Sequence, residues 1–149
     1  MSGDLSGQAV RPLQLICTGL ILGLVLFSTV VIFLSLSGAM QPAAGTEMVA
    51  WILLALSLPQ IVATQIVSSR LQPAGKLDRE ALLSSYRTSS IVGWAGLEGA
   101  AFMNIVGFLI AGNWLSLLIP GVVLCWLAAT FPTADRLDNW LRQQEIQYG

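Results

Sequence analysis

Residues 90–112 read SIVGWAGLEGAAFMNIVGFLIAG, and this stretch decides the fold. At about 1.5 Å per residue it is long enough to cross a hydrocarbon core of about 30 Å. It carries one carboxylate, Glu98, near its middle, together with Gly93, Gly96, Gly99 and Gly107. Charged side chains inside a span are rare, because removing the charge from water costs several kcal/mol. The question of function therefore gathers on Glu98.

The rest of the chain agrees with a membrane setting. Its 149 residues are 55% hydrophobic and only 10% charged, with a mean hydropathy of +0.75. A soluble domain of this size carries about 25% charge. The net charge of -1 gives no basic field for nucleic acid. There is no histidine, which removes the commonest metal ligand and the commonest general base. Cys17 and Cys125 both fall within apolar runs and read as small hydrophobes, with no disulfide framework. No metal and no cofactor is expected.

Working outward, the apolar runs predict four transmembrane helices at 13–36, 48–69, 88–111 and 114–131. They form two hairpins in a single membrane domain covering 1–149, an all-α membrane protein. The first run is longer than the h-region of a signal peptide, about 7–15 residues, so it reads as a retained span. Residues 1–12 read as a poorly ordered polar tail, with Pro12 in the first turn of the helix that follows. Thr46 is a candidate N-cap, and Glu47 sits where the helix dipole favours an anion. Pro59 lies inside the second span and predicts a kink; Gln60, Thr64 and Gln65 follow it, to satisfy freed backbone groups or to face Glu98.

Residues 70–87 form the sizeable polar loop, with a turn at Pro73 and Gly75. Asp78 is its candidate N-cap, and Leu77 with Leu82 a hydrophobic staple. Gly112-Asn113 reads as a tight turn, C-cap then N-cap. The fourth helix is expected to start at Trp114, kink at Pro120-Gly121 and close at Pro132. Residues 133–148 have helical spacing, with Leu137, Trp140, Leu141 and Gln144 on one face. They are expected to form an amphipathic helix on the membrane surface, with a soluble docking helix as the alternative.

All seven Lys and Arg residues lie in the N-terminal tail, the 70–87 loop or the C-terminal segment. The positive-inside rule then places both termini and the central loop in the cytoplasm, with a bacterial inner membrane as the expected location. Trp51 to Pro59 in the second span and Trp114 to Pro120 in the fourth have a similar layout, although the two spacings differ by two residues. They mark either a parallel repeat or a coincidence.

Depth can be counted from the cytoplasmic ends. Glu98 is ten residues past Thr88, about 15 Å into the membrane. The same depth falls at Gln60, Gly23 and Gly121 on the other helices. Trp94, Ala101, Phe102 and Ile105 share Glu98's face by helical spacing. Gly96, Ala100, Met103 and Gly107 form an adjacent smooth strip suited to close packing. Asn104 is offset from Glu98 and is not counted as a ligand. No Lys or Arg lies at this depth, so loss of solvation favours the neutral acid.

Leu97-Glu98-Gly99-Ala100-Ala101-Phe102-Met103-Asn104-Ile105-Val106-Gly107 resembles the carboxylate-bearing helix of rotary ATPase c-ring proteolipids. Arg70-Leu71-Gln72-Pro73 is similar to that family's Arg-Gln-Pro loop turn, with a leucine inserted, and four spans with one carboxylate look like its duplicated V-type members. The resemblance implies that Glu98 binds a proton or sodium, with Gln60 or Thr64 as co-ligand. The sequence departs from the family where the glycine-rich partner helix should be: the second span has no glycine and carries Pro59. The family's duplicated members also place their carboxylate on the helix that ends a hairpin, whereas the third span opens one.

Two functions follow. The first is a structural or accessory subunit of an oligomeric membrane complex, formed with copies of itself or with other chains, in which protonated Glu98 makes a helix contact. Its packing surface would be Gly93, Gly96, Gly99, Ala100 and Gly107. The second is a proteolipid-like subunit that moves protons or sodium, with Glu98, Gln60 and Thr64 as ion-binding candidates. An enzyme is not expected, since the spans offer no histidine, no acid pair and no serine-base constellation.

Overall fold

The computed structural model describes the backbone of residues 2–42, 45–71 and 79–148, and the side chains of these except residues 2–9, 79, 145, 147 and 148. Among the described residues every regular element is helical. The helices are α1 (Ser2–Leu36), α2 (Glu47–Arg70), α3 (Arg79–Ala111), α4 (Leu118–Ala129) and α5 (Ala134–Tyr148), with a 3-10 turn at Trp114–Leu117 leading into α4. Three are long and apolar enough to cross a membrane, within Val10–Leu36, Glu47–Arg70 and Glu80–Ala111. A fourth candidate is the pair Trp114–Ala129 and Ala134–Gln144, bent by 75° at the break.

The third span is the hub. α1, α2 and α4 all pack on α3, and α2 and α3 make the most extensive pairing. The main core lies on one side of α3, where Trp94, Leu97, Ala101, Ile105 and Phe108 meet Leu13, Cys17, Leu24 and Val31 of α1. Ile119, Val123 and Leu127 of α4 complete it. Outside this core, Leu22, Leu26 and Phe33 of α1 and Leu56, Leu58 and Val62 of α2 are exposed, as lipid-facing residues are.

Turn chemistry fixes the α3–α4 hairpin. Gly112 has φ +64° and accepts the left-handed conformation without steric cost. A Cβ there would also collide with the Pro42 ring. Asn113 then caps the 3-10 turn, its Oδ1 accepting from the Leu115 backbone N–H at 3.0 Å. On the same side of the molecule, Thr46 makes no side-chain cap on α2. Its hydroxyl donates instead to the carbonyl of Ile110 at 3.1 Å and ties the start of α2 to the end of α3.

Three further expectations are corrected. α1 begins at Ser2, so residues 2–12 are helical and Pro12 lies inside the helix. The extension is worth forming because Val10 and Leu13 find buried contacts. Pro120 does not kink the middle of a long helix. α4 starts only at Leu118, so Pro120 falls in its first turn, where a missing N–H breaks no helical bond. The apolar face of α5 does not lie on lipid: Leu137 and Leu141 are buried against Val10 of α1 and Leu82 of α3. At 35 and 33 residues, α1 and α3 are both about 50 Å long and outrun the bilayer. α5 caps their projecting ends.

Thr133 starts α5, its hydroxyl accepting from the Arg136 N–H at 3.3 Å. The amide of Gln14 donates to the carbonyl of Pro132 at 3.0 Å and anchors the α4–α5 bend to α1. The Pro73–Gly75 turn, the Asp78 cap and Leu77 lie outside the described residues.

Leu137 is 1% exposed at the centre of this cap. Truncating a buried leucine to alanine costs about 2–5 kcal/mol, more than one small helix contact can spare. Leu137→Ala is expected to release α5, so that limited proteolysis cuts within 134–148 at least several-fold faster. The apolar helices stay protected. Unchanged cleavage would show that α5 is held by something else.

Candidate functional site: the two faces of the central helix

α3 presents two chemically distinct faces at mid-depth. The first meets α2 and is built from the smallest side chains. Gly93 lies against Ser68, Gly96 against Thr64, Gly99 against Gln60 and Gly107 against Leu53. Residue numbers rise on one helix as they fall on the other, as an antiparallel hairpin requires. The fit at Gly96 is the tightest: any Cβ there would overlap the Thr64 side chain. A Cβ at Gly99 would stand 3.1 Å from the Gln60 Nε2. Ser57 of α2 is fully buried, and Ala100 of α3 likewise.

Helices in lipid gain little hydrophobic energy from meeting, so close backbone approach and interhelical hydrogen bonds supply the attraction. Gln60 provides one such bond, its Nε2 donating to the Gly96 carbonyl at 3.4 Å, a long contact. Ser57 and Ser68 donate to carbonyls of their own helix at 2.7 and 3.3 Å, so their protons are already satisfied when they pack. α2 thus has no glycines of its own; the glycines are all on α3 and the small polar residues on α2.

The second face carries Glu98. Its carboxyl oxygen lies 4.0 Å from where a Cβ on Gly23 of α1 would stand. One turn further along, Phe102 stacks on Phe27 of α1, with ring centroids 5.2 Å apart. Glu98 therefore belongs to the α1 side of α3. Its sequence neighbour Gly99, about 100° around the helix, belongs to the α2 side. Between these two directions lie Ile91, Ala95 and Val106, with Ile110 just past Gly99, and all four are exposed. α1 and α2 flank an open strip of α3, and Glu98, partly exposed, sits at its α1 margin.

The candidate ligands are not brought together in one chain. Gln60 and Thr64 point at the glycine face of α3, and neither makes a hydrogen bond with Glu98. Among the described residues the Glu98 carboxyl makes no hydrogen bond and no ion pair. Gly121 shares the expected depth, but it lies on the outer face of α4 with nothing within 4 Å of its Cβ position. No group of three or more His, Cys, Asp or Glu capable of holding a metal exists among the described residues.

Asn104 is the polar residue whose importance the helical spacing hides. It is fully buried on the core side of α3. Its Nδ2 donates to the Ala100 carbonyl at 2.9 Å, and its Oδ1 makes no hydrogen bond. An asparagine inside an apolar run was the available signal, but its offset from Glu98 separates it from the carboxyl.

The seam makes a contrast testable. Gly96→Ala forces Thr64 to move, and overpacking of this kind costs about 1–3 kcal/mol. Gly19→Ala adds a methyl where nothing lies within 4 Å. Thermal unfolding in detergent is expected to show a lower midpoint for Gly96→Ala and no loss for Gly19→Ala; equal midpoints would contradict the packing. Comparison of the chain with family models, with curated proteins and with solved structures found no match.

Proposed function

We propose that this protein is an accessory subunit of an oligomeric membrane complex, and that Glu98 makes its helix contact with the neighbouring chain. The supporting observation is the position of Glu98: partly exposed at the margin of an open strip of α3, with no hydrogen-bonding or ion-pair partner among the described residues. In hydrocarbon an unpartnered carboxyl is costly, so a proton on it and an acceptor on an adjacent helix together relieve the cost. A neighbouring helix laid between α1 and α2 meets Glu98 at mid-depth and covers Ile91, Ala95, Val106 and Ile110. The chain crosses the bilayer four times in this proposal, with the α4–α5 bend at the cytoplasmic surface. The placement of all seven Lys and Arg residues outside the apolar runs supports cytoplasmic termini in a bacterial inner membrane.

The same partial exposure favours a second reading, in which the carboxyl passes a proton to or from the neighbouring chain. A sodium site is less well supported, because Gln60 and Thr64 are committed to the α2–α3 seam.

Glutamine preserves a hydrogen-bonding group at position 98, and alanine does not. An interhelical hydrogen bond in a bilayer is worth about 1–2 kcal/mol, so its loss weakens association about tenfold. Native mass spectrometry in mild detergent is expected to show an assembled wild type, a similarly assembled Glu98→Gln, and a dissociated Glu98→Ala. A wild type that runs as a lone chain, or an assembly indifferent to Glu98→Ala, overturns the proposal. Potential-driven proton uptake by proteoliposomes, lost in an assembled Glu98→Gln, favours the second reading.

A further inference from the structure

Away from Glu98, a cavity of about 270 Å3 lies where the C-terminal part of α2, the N-terminal half of α3, the end of α4 and α5 meet. Its lining is unusual for the interior of an apolar bundle. Ser68, Ser89 and Thr130 contribute hydroxyls, and Gln65 an amide. Each of these hydroxyls already donates its proton to a carbonyl of its own helix, at 3.3, 3.1 and 2.8 Å. Their oxygens are left as acceptors, which suits a ligand bearing several O–H donors.

The remaining walls are aromatic. Trp94, only 6% exposed, faces the cavity and not the lipid, which separates it from an ordinary interfacial belt tryptophan. Tyr86 and Trp140 pack against each other at the cavity, with ring centroids 5.1 Å apart. Aromatic faces beside hydroxyl acceptors suit the C–H and O–H edges of a polyol. No carboxylate lines the cavity among the described residues. Arg136 of α5 is exposed one helical turn before Trp140, on the same side of that helix as this cavity wall. A polyol carrying an anionic group is favoured over a cationic one.

Trp126 connects this cavity to a second feature. It also lines an apolar groove of about 560 Å3 along the outer face of α4, with Leu118, Val122 and Cys125. A polar chamber near the membrane edge that adjoins an apolar groove running toward mid-depth has the layout of an amphiphile: a headgroup and an acyl chain.

We propose that the cavity holds the phosphoglycerol headgroup of an anionic glycerophospholipid, with one of its acyl chains along the α4 groove. The bilayer supplies this ligand directly, and a free glycerol phosphate shares its headgroup chemistry without the chain.

The test uses the full chain in mild detergent. Native mass spectrometry follows retention of phosphatidylglycerol, of phosphatidylcholine with the same acyl chains, and of free glycerol 3-phosphate. Both lipids carry the phosphate, but only the glycerol hydroxyls can donate to the acceptor oxygens of the cavity, so phosphatidylglycerol is expected to be retained about tenfold more strongly than phosphatidylcholine. Arg136→Gln, a change at an exposed residue, removes a cation beside the phosphate that both lipids carry and is expected to weaken both about equally while the helical circular dichroism stays the same. Trp126→Ala is expected to weaken both lipids and leave the preference intact. Equal retention of the two lipids by the wild type overturns the glycerol headgroup, and retention unchanged by Arg136→Gln overturns the placement of its phosphate. Glycerol 3-phosphate held as tightly as the lipid overturns the acyl-chain part.

Discussion

Everything in this molecule depends on how closely α3 lets α2 approach. In water two apolar helices are pushed together; in lipid they are not, and the contact has to come from short distances and shared hydrogen bonds. Gly96 gives up its side chain so that Thr64 can occupy the space, and Gly93, Gly99 and Gly107 extend the same contact along the helix. The consequence is rotational. Once α3 commits its glycines to α2, its bulky residues Trp94, Leu97, Ile105 and Phe108 are turned into the core against α1 and α4. Glu98 is carried to the margin between them.

That placement gives the carboxyl its character. It is neither in the core, where an unpaired acid would be prohibitive, nor on a seam already supplied with partners. It stands beside Gly23, where the absence of a side chain leaves it room. The carboxyl thus combines room, partial exposure and the lack of a hydrogen-bonding partner among the described residues. The polar cavity at the other level is held by different means: hydroxyls satisfied by their own helices, aromatic walls, and α5 folded over the ends of α1 and α3.

Much of the fold was legible because it follows from one-dimensional signals. Apolar runs locate the spans, Gly112-Asn113 marks the hairpin turn, and counting residues from the membrane edge pairs Gly23 with Glu98. What the sequence cannot decide is rotation about a helix axis. α3 has small or apolar residues nearly all the way round, so spacing alone allows Gln60 and Thr64 to face either Glu98 or the glycines. Packing decides it, because only the glycine face admits Thr64. The destination of α5 was hidden for a related reason: Leu137 and Leu141 make the same pattern whether they meet lipid or protein. The start of α1 was missed because its contact, Val10 with Leu137, joins opposite ends of the chain. The cavity draws its lining from four helices far apart in sequence, and no local pattern announces it.

The sorting of α3 into a glycine face for α2 and a carboxyl face for α1 is tested most directly by paired cysteines, in a chain with Cys17 and Cys125 replaced by alanine. A Cβ at Gly93 stands 3.6 Å from the Cβ of Ser68, inside the window of about 3.5–4.5 Å for a disulfide. Oxidation of Ser68→Cys with Gly93→Cys in membranes is expected to cross-link nearly completely. Gln60→Cys with Glu98→Cys is expected to stay reduced under the same conditions. Ready cross-linking of the second pair and not the first would mean that α3 is rotated the other way, with Glu98 turned toward α2.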